Sequence, residues 1–154
     1  MLRVGLISDT HGLLRPEAQR FLRGCDHIVH AGDIGKPDVL RLLAQMAPVT
    51  AVRGNNDAGG WAASLPASQS LRLGGVALFV LHDLVELAIH PAHAGVQVIV
   101  CGHSHKAQVQ RHACGALIVN PGSAGPRRFK LPVTAAELLI SGENKFGARI
   151  APLV

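Results

Sequence analysis

Leu2-Arg3-Val4-Gly5-Leu6-Ile7-Ser8-Asp9-Thr10-His11 decides how the rest of the chain is read. Up to Ser8 it is apolar and continuous enough for a strand covered on both faces, as strands of parallel sheets are. It then stops at Asp9-Thr10-His11, where two potential metal ligands stand at i and i+2 and, in extended backbone, point to one side. The same event recurs along the chain. Residues 28–29 lead through His30-Ala31 to Gly32-Asp33, and residues 49–52 lead to Arg53-Gly54-Asn55-Asn56-Asp57. Residues 76–81 end at His82, and residues 96–101 end at Gly102-His103-Ser104-His105.

The segments between these runs set the fold class. Residues 16–23 read as a helix, with Pro16 near its first position and Gly24 as its stop. Residues 27–31 form a second strand. Residues 37–46 form a second helix with Val39, Leu40, Leu42, Leu43 and Met46 as its apolar stripe. Residues 49–53 form a third strand. Such a βαβαβ opening favours adjacent parallel strands with right-handed crossovers.

The second half changes character. Residues 71–73 and 76–81 flank Gly74-Gly75 as a hairpin. A short helix over 84–90 precedes a strand at 96–101. Further hairpins are expected from 108–112 with 116–120 and from 135–140 with 146–150. The expected fold is α/β: two packed mixed β-sheets flanked by helices, a four-layer sandwich, in one domain over residues 1–154. A simple Rossmann domain is excluded by the helix-poor second half.

Composition narrows the function classes. Hydrophobic residues make up 48% of the 154 residues and charged residues 16%, which fits a globular protein and not a disordered one. No apolar run approaches membrane-span length, and no leader pattern precedes Asp9, so a cytoplasmic protein is expected. Cys25, Cys101 and Cys114 form no CxxC pair and read as small buried side chains. A net charge of +5 invites a nucleic-acid partner, yet the basic residues are scattered apart from Arg127-Arg128-Phe129-Lys130. With four Phe, one Trp and no Tyr, a platform for stacking bases is poorly supplied. Nucleic acid is therefore not expected as the main partner, and a basic surface serving an anionic substrate explains the same excess.

Strands that carry Asp, His and Asn to a common edge build a site of oxygen and imidazole donors, which suits a divalent metal. Gly32, Gly54 and Gly102 each precede a candidate ligand and are expected to let the backbone turn sharply there.

Asp9-x-His11, Gly32-Asp33, Gly54-Asn55-x-Asp57, His82 and Gly102-His103-x-His105, in that order, resemble the calcineurin-like metallophosphoesterase superfamily. Among its branches the chain is most similar to the small single-domain YfcE-like phosphodiesterases. The resemblance implies that Asp9, His11, Asp33 and His105 bind one metal ion. It implies that Asp33, Asn55, His82 and His103 bind a second, with Asp33 shared. Two divalent cations follow as cofactors, manganese first, with iron, zinc or nickel as alternatives. The implied reaction is hydrolysis of a small phosphodiester by water activated between the cations. Asp33, Asn55 and Asp57 are the implied catalytic candidates, Asp57 by orienting a ligand or loop.

Two positions depart from the family's pattern. Many members have a histidine after the metal-binding Asn, where it protonates the leaving group. Here Asn56 stands there, and an amide is no general acid. Asp83 follows His82 where relatives often have Gly; it reads as a turn residue, a partner of His82 or a source of repulsion against anions. His30 reads as a core or ligand-supporting histidine. His27, His90, His93 and His112 read as surface or helix-end residues. Asn120-Pro121-Gly122-Ser123 resembles the family's NPGS turn beside the site, and Arg127 or Arg128 could reach a phosphate. The alternatives to a phosphodiesterase are a phosphomonoesterase or nucleotide hydrolase, and a protein-interaction scaffold that keeps the fold, as the retromer subunit does. No membrane partner is expected, and a homo-oligomer is left open.

Overall fold

The computed structural model describes residues 1–88, 90–128 and 130–154. Ile89 of the expected third helix, Phe129 of the basic cluster and the side chain of His93 lie outside the described residues. Along the chain, β1 (Leu2–Ile7), α1 (Pro16–Leu22), β2 (His27–His30), α2 (Pro37–Ala44) and β3 (Val49–Ala51) form the βαβαβ opening. A short α3 (Gly60–Ala63) leads into a hairpin of β4 (Ser68–Leu73) and β5 (Val76–Leu81). A 3-10 turn (Leu84–Glu86) and α4 (Pro91–Ala94) precede β6 (Val98–Val100). Two more hairpins follow, β7 (Gln108–Arg111) with β8 (Leu117–Asn120), then β9 (Thr134–Gly142) with β10 (Lys145–Pro152).

These strands make two five-stranded mixed sheets, ordered β10-β9-β1-β2-β3 and β4-β5-β6-β8-β7. The expected α/β sandwich is what forms. In the first sheet β1 and β2 run parallel, with Leu6 opposite Val29, while β9 closes the other side of β1 antiparallel. In the second, β5, β6 and β8 run parallel, with Val80, Val100 and Val119 in register. Alternate residues of the two sheets meet in one core: Val4, Leu6 and Val29 face Leu78, Val80, Val100 and Val119. Both sheets aim the ends of their parallel strands at the same edge, and every candidate ligand lies just past one of those ends.

The outer faces differ. Leu22 of α1 and Val39 and Leu43 of α2 cover the first sheet. Among the described residues, the second sheet's outer residues Leu81, Ile99, Cys101 and Ile118 are packed by Phe79, Leu84, Leu87 and Val96. The helix expected over 84–90 is a single 3-10 turn followed by a separate one-turn helix. Asp83 accepts a hydrogen bond from the Val85 N–H and starts the turn, and the Leu87 N–H closes it on Leu84. Pro91 then opens α4, and a proline disfavours helical backbone in the residue before it. The one-turn α3 was not anticipated, because Gly59-Gly60 reads as a loop.

Candidate metal centre

Five candidate ligands adopt left-handed backbone: Asp9, His11, Asp33, His103 and His105, with φ between 46° and 72°. For residues with a Cβ this costs on the order of 1 kcal/mol each, and Asp and His are among the types found there more often than most. Packing explains why it persists. The ladder between β1 and β2 runs on into their loops: Asp9 N–H donates to Gly32 O, His11 N–H to Asp33 O and Gly12 N–H to Ile34 O.

This arrangement corrects the reading of the glycines. Gly32 does have a positive φ of 105°. Gly54 and Gly102 do not; a side chain at Gly54 would collide with Asp33, and one at Gly102 with Ser8 and Asp9. They are small so that the loops of β3 and β6 can lie against those of β2 and β1. The unusual torsions belong to the ligands themselves.

Asp9 is fully buried. Its Oδ2 accepts from the Ser8 hydroxyl at 2.6 Å and the His103 N–H at 3.2 Å. That leaves Oδ1 facing three imidazoles: His105 Nε2 at 3.3 Å, His11 Nε2 at 3.8 Å and His82 Nε2 at 3.9 Å. Asp33 Oδ2 lies 3.3 Å from His82 Nε2 and 3.9 Å from His11 Nε2. Asp9, His11 and His105 form one compact donor group, and Asp9, Asp33 and His82 a second. Asp9 Oδ1, His11 Nε2 and His82 Nε2 are buried and have no hydrogen-bond partner. Buried polar atoms are nearly always satisfied, so three orphans converging on one spot mark a place made for a cation.

Asn55 and His103 stand apart from these groups. His103 Nδ1 lies 3.2 Å from Asn55 Oδ1, and both residues are exposed at the mouth of the site. His103 Nε2 is 3.7 Å from Asp83 Oδ2. Of the three readings of Asp83, the structure gives the turn role and sets its charge beside His103 and not His82.

Supporting contacts fix the ligands' orientation. His82 Nδ1–H donates to Ala31 O at 2.8 Å, which turns Nε2 toward the carboxylates. Asn56 donates to both oxygens of Asp33, from its backbone N–H at 2.8 Å and its amide at 3.0 Å. Asp57 accepts from the N–H groups of Ile34, Gly35 and Gly54, tying the β2 and β3 loops together. His30 is fully buried. Its Nδ1 accepts from Gly32 N–H, so its Nε2–H donates to Thr10 Oγ1, which in turn donates to Ile34 O.

Ser8 was not anticipated as a support, and the NPGS turn, expected beside the site, makes contacts of its own there. Ser8 holds Asp9. Asn120 donates to Gly102 O and Ser104 Oγ. Ser123 donates to the Asp9 carbonyl. The NPGS turn therefore braces the loops after both β6 and β1. Ser8 carries no signal beyond its place before Asp9. Arg127 and Arg128 are exposed, and the charge of Arg128 acts on His105.

The electrostatics of the metal-free site follow. Burial opposes charge on Asp33, but the adjacent His82 imidazole and the hydrogen bonds from Asn56 outweigh it and hold the carboxyl well below the usual range. Burial likewise opposes charge on His82, and the carboxylates of Asp33 and Asp9 reverse the sign and raise its pKa. At His30, burial and the neighbouring His82 charge outweigh the Asp33 carboxylate and lower the pKa to about 3.

Comparison with known proteins bears on the family and the fold. The family model described as the calcineurin-like phosphoesterase superfamily domain matches residues 2–143. A probable metallophosphoesterase of Methanocaldococcus jannaschii is 30% identical, over 97% of this chain and 81% of the relative. Among solved structures, Vps29 of Chaetomium thermophilum aligns with a TM-score of 0.78 at 18% identity, covering 98% of this chain and 96% of that one. A structure described as a novel archaeal phosphodiesterase aligns at 0.73 and 18% identity, covering 97% of this chain and 100% of that one. At such identity these two share the fold.

Proposed function

The chain belongs to the calcineurin-like phosphoesterase superfamily, and from that premise we propose that it is a dinuclear metal-dependent phosphodiesterase. One observation carries the reading. Asp9 Oδ1, His11 Nε2 and His82 Nε2 are buried, unpartnered and aimed at one another. Oxygen and imidazole donors in this mixture fit a divalent first-row metal, manganese first. Asp9, His11, Asp33 and His105 would hold the first ion, and Asp33, Asn55, His82 and His103 the second. When bound, the two cations acidify the attacking water and neutralise charge on the phosphate oxygens.

The remaining chemistry belongs to the chain. Asp33 is held between the imidazoles by Asn56, whose amide is thereby engaged and has no acidic proton to give. Leaving groups must then depart without a proton from this position, which favours activated esters; general acid help is typically worth about 10²–10⁴-fold. Asp57 acts through the loops it ties. The proposal takes residues 1–154 as one domain acting in the cytoplasm on a small phosphoester. No helix among the described residues is long and apolar enough to cross a membrane.

Manganese-loaded protein should carry two equivalents of metal and cleave bis-p-nitrophenyl phosphate faster than p-nitrophenyl phosphate. Faster monoester cleavage would favour the phosphomonoesterase reading. An unchanged diesterase rate in Asp33→Asn or His103→Ala would refute the centre. The likeness to Vps29 gives the scaffold reading its one support. That reading requires no turnover of any phosphoester together with a stable protein partner.

A further inference from the structure

A cavity of about 270 Å³ opens on the thinly covered outer face of the second sheet, and His103 forms part of its wall. Resting on the phosphodiesterase reading, we propose that this cavity seats one ester substituent of the substrate, an uncharged aryl or heteroaryl group. Position is the first argument. His103 faces Asn55 with Nδ1 and also lines the cavity, so a phosphate held at the metal centre would have one substituent beside this opening.

Chemistry is the second argument. Leu84, Val85, Cys101 and Ile118 give the cavity apolar walls, while Gln108 and Gln110 line one side with amides. Apolar walls interleaved with polar groups suit a ring that carries hydrogen-bonding atoms. The amide of Gln108 donates to Gln110.

Charge and size complete the case. Among the described residues the lining contains no Lys or Arg, and its one carboxylate is Asp83 beside His103. A substituent bearing a further phosphate or carboxylate would meet the Asp83 carboxylate with no Lys or Arg among the described lining residues to pair with. A cavity of about 150 Å³ is enough to hold benzene, so the volume here takes one ring with room for its substituents. Val85 stands at the rim with 90% of its surface exposed. An isolated apolar side chain on a surface needs no explanation, but one at the lip of an apolar cavity gives an entering ring a second face to pack on.

The test compares phenylphosphonate with methylphosphonate, neither of which can be hydrolysed as a diester, by calorimetry on the manganese-loaded protein. Phenylphosphonate should bind about tenfold tighter or more, the worth of taking one ring out of water. Gln110→Trp, on an exposed edge strand, fills the cavity, and Val85→Asp puts a charge on its rim. Both should cut the phenyl-to-methyl ratio to below about threefold, with metal content and thermal melting held near wild type as checks on folding. Equal binding of the two probes by the wild type, or a ratio unmoved in both variants, overturns the proposal. The parent reading fails separately. A protein that prefers phenylphosphonate through this cavity but hydrolyses no diester keeps the subsite and loses the diesterase assignment.

Discussion

The two halves of the candidate metal centre are built differently. Around Asp9, His11, His105, Asp33 and His82 the donors are largely buried, and each carboxylate is braced by hydrogen bonds. Around Asn55 and His103 they are exposed, and the His103 side chain keeps 46% of its surface in solvent. The closed half lies where the β1 and β2 loops meet the second sheet; the open half adjoins the thinly covered outer face. This difference teaches a division of labour. The closed half has the preorganisation to retain an ion, while the open half has the access to meet a substrate.

The largest effect is expected at Asp33, the carboxylate proposed to bind both ions. Asp33→Asn should lower bis-p-nitrophenyl phosphate hydrolysis by about 10³-fold or more, since it weakens both metal positions. Metal analysis of the same preparation should show fewer than two equivalents. Next come Asn55→Ala and His103→Ala, which should each lose about 10²-fold in rate and one equivalent of metal while keeping the other. Loss of both ions together from either variant would break the distinction between the halves.

Thr10→Val probes the brace beneath the closed half. It removes the hydroxyl between His30 Nε2 and Ile34 O, leaving two buried polar groups unpaired. Chemical denaturation should register a loss of about 1–3 kcal/mol. Metal affinity should weaken by about 10–100-fold, as it does when a ligand's supporting contact is removed.

A smaller, graded effect is expected from pH. His30 is neutral in the folded protein down to about pH 3, whereas the unfolded chain takes up a proton at the ordinary histidine value. Its folded pKa is lowered, so the unfolded state binds more protons. Stability of the metal-free protein should therefore fall as pH drops from about 6.5 toward 3, by at most about 1.4 kcal/mol per pH unit from this group. His30→Gln should flatten that slope in denaturation curves taken across the range. The ion pairs of Glu137 with Arg3 and Arg149 lie outside both halves. Glu137 is buried and accepts hydrogen bonds from both guanidinium groups, so Glu137→Gln should cost about 1–3 kcal/mol in chemical denaturation and leave metal content unchanged.

How much of this was legible beforehand depends on the kind of signal. The parallel strands and their edge were readable because buried strands are continuous apolar runs that stop at chemistry-bearing residues. The hairpins were readable from Gly74-Gly75 and Ala113-Cys114-Gly115. The region of residues 84–94 was not, because one capped turn of 3-10 helix and one turn of α-helix have the same apolar periodicity as a single helix. In the site, the residue types and order named the donors. Their left-handed backbone was invisible, since it is imposed by pairing between loops far apart in sequence. The same holds for Gly54 and Gly102, whose need is space for a neighbouring strand's loop, and for Ser8, Asn120 and Ser123, which act through contacts no local pattern encodes.

The central claim is tested most directly by titrating metal-free protein with Mn²⁺ in a calorimeter, with direct metal analysis of the product. The account predicts two equivalents of unequal affinity. It also predicts proton release on binding that grows as pH falls toward the raised pKa of His82, which must give up its proton to act as a ligand. Binding of one ion or none, or uptake with no proton released at any pH, would contradict it.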